Sequence, residues 1–181
     1  MLRIEIPISP EGWDEEKNEF VAPTSKVIEL EHSLISLSKW ESKWEKPFLG
    51  KEPKTLEETI DYVRCMTLSP RVDPNVYNHL TPENIQQINK YIEAPMTATW
   101  FTENKSKSRS NEQITSELIY YWMIALNVPF ECQKWHLNRL LTLIRVCNIK
   151  NQPPKKMNRR EILSRNAALN AARRKQFNSK G

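Results

Sequence analysis

Few residues of this chain stand at spacings that catalysis or metal binding uses. Cys132 and His136 are four apart and would share one helix face, but a zinc site needs a second such pair, and none stands at that distance. The expected reading is a buried thiol beside a helix-surface histidine. His32 adjoins Ser33, yet neighbours at a helix start do not face one another, so no nucleophile–base couple forms there. His79 falls in a loop. No G-x-S-x-G turn, phosphate loop or dinucleotide fingerprint occurs. Glu57-Glu58 opens a helix and is explained by its dipole rather than by acid/base work. Trp40 and Trp44, with Glu41 and Glu45 beside them, offer an aromatic surface, but a stripe at helical spacing reads first as core. The same holds for Tyr120, Tyr121 and Trp122. The expectation is a protein without catalytic residues, metal or cofactor.

The concentrated chemistry is charge. From Lys150 to Gly181 there are ten Lys or Arg and one acid, Glu161, so this segment is +9. The chain as a whole is +5, which leaves −4 on residues 1–149, with 17 bases and 21 acids. A mildly acidic body with a basic end predicts a folded unit carrying an arm, and an arm implies a partner. The candidate partner-binding residues are Arg159, Arg160, Arg165, Leu169, Arg173, Arg174 and Lys175. Three readings compete. The arm docks on protein, with Ile162, Leu169 and the alanines Ala167, Ala168, Ala171 and Ala172 forming a narrow face and arginines pairing with acids of a partner or a neighbouring copy. It binds nucleic acid through phosphates, although Phe177 is the only aromatic after Trp135 and base stacking is poorly served. Or it is a solvated tail.

The elements that must carry this arm read as mainly α: a small helical domain with one or two short N-terminal strands and a C-terminal basic helical arm. Three glycines against twelve prolines favour helices punctuated by proline. Leu2, Ile4, Ile6 and Ile8 alternate with Arg3, Glu5 and Pro7, which predicts an edge strand. Residues 9–25 read as a loop pinned by Trp13 and Phe20, and Lys26–Glu31 as a second strand. Helices follow from Ser33 to Pro47, from the Thr55-x-x-Glu58 capping box to Pro70 (with Leu56, Ile60, Val63 and Thr67 on its face), and from Thr81-Pro82 to Pro95. A polar loop covers 102–112. A buried helix over 114–126 and a long helix over 131–148 are expected to pair as a hairpin and form the core. Asn151-Gln152-Pro153-Pro154 is the expected linker between a body, 1–150, and an arm, 151–181. Asn158-x-x-Glu161 caps the arm helix.

Bulk properties set the class. Apolar residues make up 39% and charged residues 27%, enough for one core and slightly lean. The cysteines Cys65, Cys132 and Cys147 are odd in number and lie in apolar patterns, which predicts free thiols in a reducing compartment. No apolar run approaches the roughly 18 residues that span a bilayer. The start, Met-Leu-Arg-Ile-Glu-Ile-Pro, lacks the apolar stretch of a signal peptide, so use inside a cell is expected.

Two stretches, Leu30-Glu31-His32-Ser33-Leu34-Ile35-Ser36-Leu37-Ser38-Lys39-Trp40-Glu41 and Ser164-Arg165-Asn166-Ala167-Ala168-Leu169-Asn170-Ala171-Ala172-Arg173-Arg174, resemble proteins of the tail gene clusters of tailed bacteriophages, in particular tail assembly chaperones and related morphogenesis proteins. The resemblance implies a non-enzymatic role in virion assembly: holding the tape measure protein or joining tail tube subunits. It implies work in the host cytoplasm, or a place in the virion, with other tail proteins or further copies of the chain as partners. Nucleic acid stands as the alternative partner, and no membrane is expected.

Overall fold

A computed structural model describes residues 1–9, 12–14, 19–21, 24–101, 113–152 and 159–178, without the side chains of residues 12–14, 19–21 and 161. The chain divides into two units, Met1–Asn148 and Ile149–Gly181. Within the described residues the protein is mainly helical, with a short antiparallel ribbon at its N-terminal end. The polar stretch 102–112 and the prolines Pro153 and Pro154 lie outside the described residues.

Strand β1 (Leu2–Ser9) pairs antiparallel with β4 (Thr24–Leu30), Ile4 opposite Ile28 and Leu2 opposite Leu30. Alternation drives Ile4, Ile6, Ile28 and Leu30 into the interior while Arg3, Glu5 and Val27 face out. The ladder shifts register between Pro7 and Ser9, where proline has no N–H to donate. Between these strands the expected loop 9–25 is replaced by a small hairpin, β2 (Gly12–Asp14) on β3 (Glu19–Val21), with Trp13 opposite Phe20. The two aromatics mark a cross-strand pair that the Pro and Gly content had masked. Their side chains lie outside the described residues, so the expected pinning does too.

Helix α1 (Leu34–Trp44) starts at Ser33, whose side chain accepts from Ser36 N–H in a reciprocal box. Its stripe Leu34, Leu37 and Trp40 is buried, which settles the tryptophan stripe as core. It ends with Glu45 in the left-handed region (φ 51°). Helix α2 (Leu56–Met66) opens on the expected Thr55–Glu58 capping box. Leu56, expected on its inner face, is instead 73% exposed at the first position of the helix. Thr67 also leaves the helix. Residues 66–69 run beside β4, with Glu31 N–H donating to Met66 O (2.9 Å) and Leu68 N–H to Glu29 O (2.8 Å). That pairing, and not Pro70, stops α2.

The α1–α2 contact is clasped by polar bonds, one buried and the others half-buried. Trp40 Nε1 donates to Glu58 O (2.9 Å), Trp44 Nε1 to Asp61 Oδ2 (3.0 Å), and Lys43 and Lys46 pair with Asp61 and Glu58. A 3-10 turn, Pro74–His79, packs on β1 and α2, so His79 ends a turn rather than sitting in free loop. Helix α3 (Pro82–Glu93) lies against β1 and buries Ile88 and Tyr91.

Helix α4 (Ser116–Ala125) is shorter than expected and only half-buried: Ile119 and Met123 point inward, Tyr121 and Ile124 outward. It packs chiefly on α1. A 3-10 turn, Phe130–Lys134, takes the start of the expected 131–148 helix, and α5 (Leu137–Asn151) begins only after His136. The core is accordingly not an α4–α5 hairpin. It gathers around α1 and the β1–β4 ribbon, where Ile4, Ile6, Ile28, Leu30, Leu34 and Leu37 are all but fully buried, each contributing about 1.5–3 kcal/mol. Periodicity located the apolar helices. It could not tell which partner each would choose, since α1 alone has neighbours on several sides.

Candidate protein-docking helix

The C-terminal helix α6 (Arg159–Phe177) contains neither Gly nor Pro and is rich in Ala, Leu and Arg, all good helix formers. Asn178 follows in the left-handed region (φ 46°), a usual helix end. Arg174 and Lys175 in the last turn complement the dipole, whereas Arg159 and Arg160 in the first turn oppose it. Asn158 and the Glu161 side chain lie outside the described residues, and with them the expected capping box. An isolated helix of this length is marginal in water, so contact with a partner would add to its stability.

Every expected partner-binding residue falls on α6: Arg159, Arg160, Arg165, Leu169, Arg173, Arg174 and Lys175 are all exposed. Stepping about 100° per residue spreads the six cations around the whole circumference. The apolar residues do not follow the sequence expectation. Ala167, Ala168 and Ala171 lie on the side away from Ile162 and Leu169 while Ala172 adjoins Leu169, so the four alanines do not build one close-packing face with them. Leu163 and Phe177 instead join Ile162 and Leu169 within about a third of the circumference. These four are 44–72% exposed. Arg159 and Arg173 lie in the same arc, one near each end, with Asn166 and Asn170 between them. The projection could have been made from the sequence, where Phe177 was counted only as a lone aromatic.

A second exposed stripe was missed because 114–126 was taken as buried. On α4, Glu117, Tyr121 and Ile124 stand at i, i+4 and i+7 and share one face. Tyr121 and Ile124 are 63% and 61% exposed, and Phe130 and Glu131 in the following turn are exposed as well. Helix α4 ends in a Schellman arrangement: Asn127 is left-handed (φ 51°), Val128 N–H donates to Met123 O (2.8 Å), and Asn127 N–H to Ile124 O (3.2 Å). This reversal buries Val128 and leads the chain back to Phe130.

The opposite end of α4 is tied to α1 by one side chain. Glu41 is buried; its Oε1 accepts from Phe48 N–H (2.8 Å) and its Oε2 from Ser116 N–H (2.7 Å). One carboxylate thus satisfies a loop amide and the first amide of α4, where the helix dipole also favours negative charge. Sequence reading placed Glu41 on an aromatic surface and gave no hint of this bridge.

The titratable side chains that come together do so in the interior. His32 and His136 meet edge-to-face, ring centres 5.1 Å apart. His136 is buried, not on a helix surface as expected, because the strand-like bridge Ser33–His136 and the bond from Leu137 N–H to His32 O (2.7 Å) draw it inward. Its Nε2 donates to Tyr91 O (3.0 Å) and its Nδ1 accepts from Asn138 N–H (3.3 Å), which defines a neutral imidazole. His32 Nδ1 bonds Tyr62 Oη at 2.5 Å. Burial, with His136 as a second cause, lowers the His32 pKa to about 3; burial also lowers that of His136 and raises that of the Tyr62 phenol. Cys132 is a buried free thiol, and Cys65 and Cys147 are free and half-buried. Among the described residues no group of three or more His, Cys, Asp or Glu could hold a metal ion. No described helix is long and apolar enough to cross a membrane.

No protein-family model, curated protein or solved structure matches this chain.

Proposed function

We propose that the protein is a non-enzymatic assembly factor that works by protein–protein contact, with α6 as its docking element. One observation carries this reading: Ile162, Leu163, Leu169 and Phe177 stand exposed within about one third of the circumference of α6, interleaved with Arg159, Arg173, Asn166 and Asn170, while the other four Arg or Lys side chains lie outside that arc. A helix that only neutralised phosphates would gain nothing from the stripe, whereas a helix seated on a protein surface buries it and uses the arginines at its rim. The resemblance of residues 30–41 and 164–174 to phage tail proteins gives the process: bacteriophage tail morphogenesis, as a tail assembly chaperone or a tail structural component, with tape measure or tail tube proteins as partners. Such a protein works in the host cytoplasm during assembly or stays in the virion.

The test removes residues 153–181 and measures retention of tail tube and tape measure proteins on the immobilised chain. Loss of retention is expected; undiminished retention excludes the arm from the mechanism. The second reading, nucleic-acid binding, is favoured by the spread of cations around α6. An electrophoretic shift across about 50 to 200 mM salt separates the two, since phosphate contacts weaken by orders of magnitude over that range.

A further inference from the structure

The two exposed surfaces carry opposite charge. On α6 an apolar centre, Ile162, Leu163 and Leu169, lies between Arg159 and Arg173. In the body an apolar centre, Tyr121, Ile124 and Phe130, lies between Glu117 and Glu131 in sequence, and all five side chains are exposed. Each surface joins exposed apolar side chains to exposed charge, basic on α6 and acidic in the body. Glu117 is the only charged residue of α4, so no cation on that helix repels an incoming arginine; Lys134, exposed at the far end of the following turn, lies beyond Glu131. The same polarity holds for the whole chain, −4 over residues 1–149 against +9 beyond.

We infer that the occupant of the α4 stripe is α6 of a second copy of this chain. This rests on the reading of α6 as a docking element and names its partner. Arm-on-body contact between copies is heterologous, because the two surfaces differ. It closes as a dimer when two copies exchange arms reciprocally, and otherwise runs on as a ring or an open chain. One helix laid across one helix face is at the small end of stable interfaces, so the association is reversible, with a dissociation constant of about micromolar order. Burial of the apolar side chains supplies most of its strength, and the opposite charges steer the encounter.

Complementation by sedimentation velocity tests the pairing with the full chain. One variant, I162D/L169D, spoils the arm and keeps the body stripe. The other, Y121D/I124D, spoils the body stripe and keeps the arm. All four positions are exposed, and circular dichroism and thermal unfolding verify that each variant is folded. Wild type is expected to associate with rising concentration, each variant alone to sediment as a monomer, and their equimolar mixture to regain a complex, since each supplies the half the other lacks. Charge reversal on both sides (E117R/E131R mixed with R159E/R173E) is expected to regain more complex than either reversal mixed with wild type. The pairing is overturned by a wild type that stays monomeric, by either spoiled variant associating like wild type, or by a mixture that stays monomeric. An arm whose amides are protected from exchange in a monomeric wild type, and exposed by Y121D/I124D, identifies the occupant as the chain's own arm and also overturns it. A monomeric wild type that still retains tail proteins through α6 overturns only the copy-to-copy pairing. Failure of both assays overturns the docking reading as well.

Discussion

Replacing Glu41 by Gln tests how the body is tied together. The carboxylate accepts from two buried amides, Phe48 N–H at 2.8 Å and Ser116 N–H at 2.7 Å. Glutamine has one acceptor oxygen, so one bond survives as a neutral bond and the other amide meets an NH2 group. Losing one charge-assisted bond costs about 1.5–3 kcal/mol, and losing the negative charge at the start of α4 about 0.3–1 kcal/mol more. The expected loss is therefore about 2–4 kcal/mol. At about 2–4 °C per kcal/mol for a chain of this size, the melting temperature falls by roughly 4–16 °C. Glu41→Ala leaves both amides unpaired and is expected to cost at least as much. Glu45→Gln is the control: this glutamate is exposed, and its substitution is expected to stay within about 0.5 kcal/mol. Urea denaturation followed by tryptophan fluorescence measures all three, since Trp40 and Trp44 flank the site. A Glu41→Gln protein within about 0.5 kcal/mol of wild type would refute the bridge as a structural tie.

Other perturbations have defined signs. Asn127→Gly is expected to stabilise by about 0.5–1 kcal/mol, because glycine takes the left-handed position of the α4 cap without the Cβ penalty; calorimetry checks it. Ser116→Ala is expected to leave stability unchanged or raise it by up to about 1 kcal/mol, because the buried Ser116 hydroxyl has no hydrogen-bond partner among the described residues; urea denaturation measures it. Stability is expected to fall as pH drops below 6.5. His32 and His136 have folded pKa values below the ordinary 6.5, His32 at about 3, so the unfolded chain binds more protons in this window. Each histidine adds a slope of at most about 1.4 kcal/mol per pH unit, and His32→Asn is expected to remove one of the two contributions in denaturation curves between pH 6.5 and 5.

Local signals carried much of the fold. The Ser33, Thr55 and Thr81 caps start helices where side-chain oxygen meets backbone N–H three residues on, and the Leu2–Ile8 alternation gives an inward Ile4 and Ile6. These depend on neighbours in sequence. What depended on distant partners was not legible: the stop of α2 at Met66 is set by β4, the burial of His136 by Ser33, and the Glu41 bridge by an amide 75 residues away. The outward half of α4 was misread because apolar content cannot say whether Tyr121 and Ile124 face a core or a partner. On α6 the charge was plain from composition, while the stripe emerges only when Ile162, Leu163, Leu169 and Phe177 are placed around a helix axis.

The most direct measurement compares what holds α6 to its partner. The full chain, I162D/L169D and R173E/R174E are each immobilised and offered tail tube and tape measure proteins, at about 50 and 200 mM salt and with competing DNA. A docking helix predicts that I162D/L169D abolishes retention, that R173E/R174E weakens it, and that neither DNA nor the higher salt removes the bound protein from wild type. Retention that survives I162D/L169D, and is lost to R173E/R174E, to salt or to DNA, would contradict a docking stripe and leave α6 as a carrier of charge.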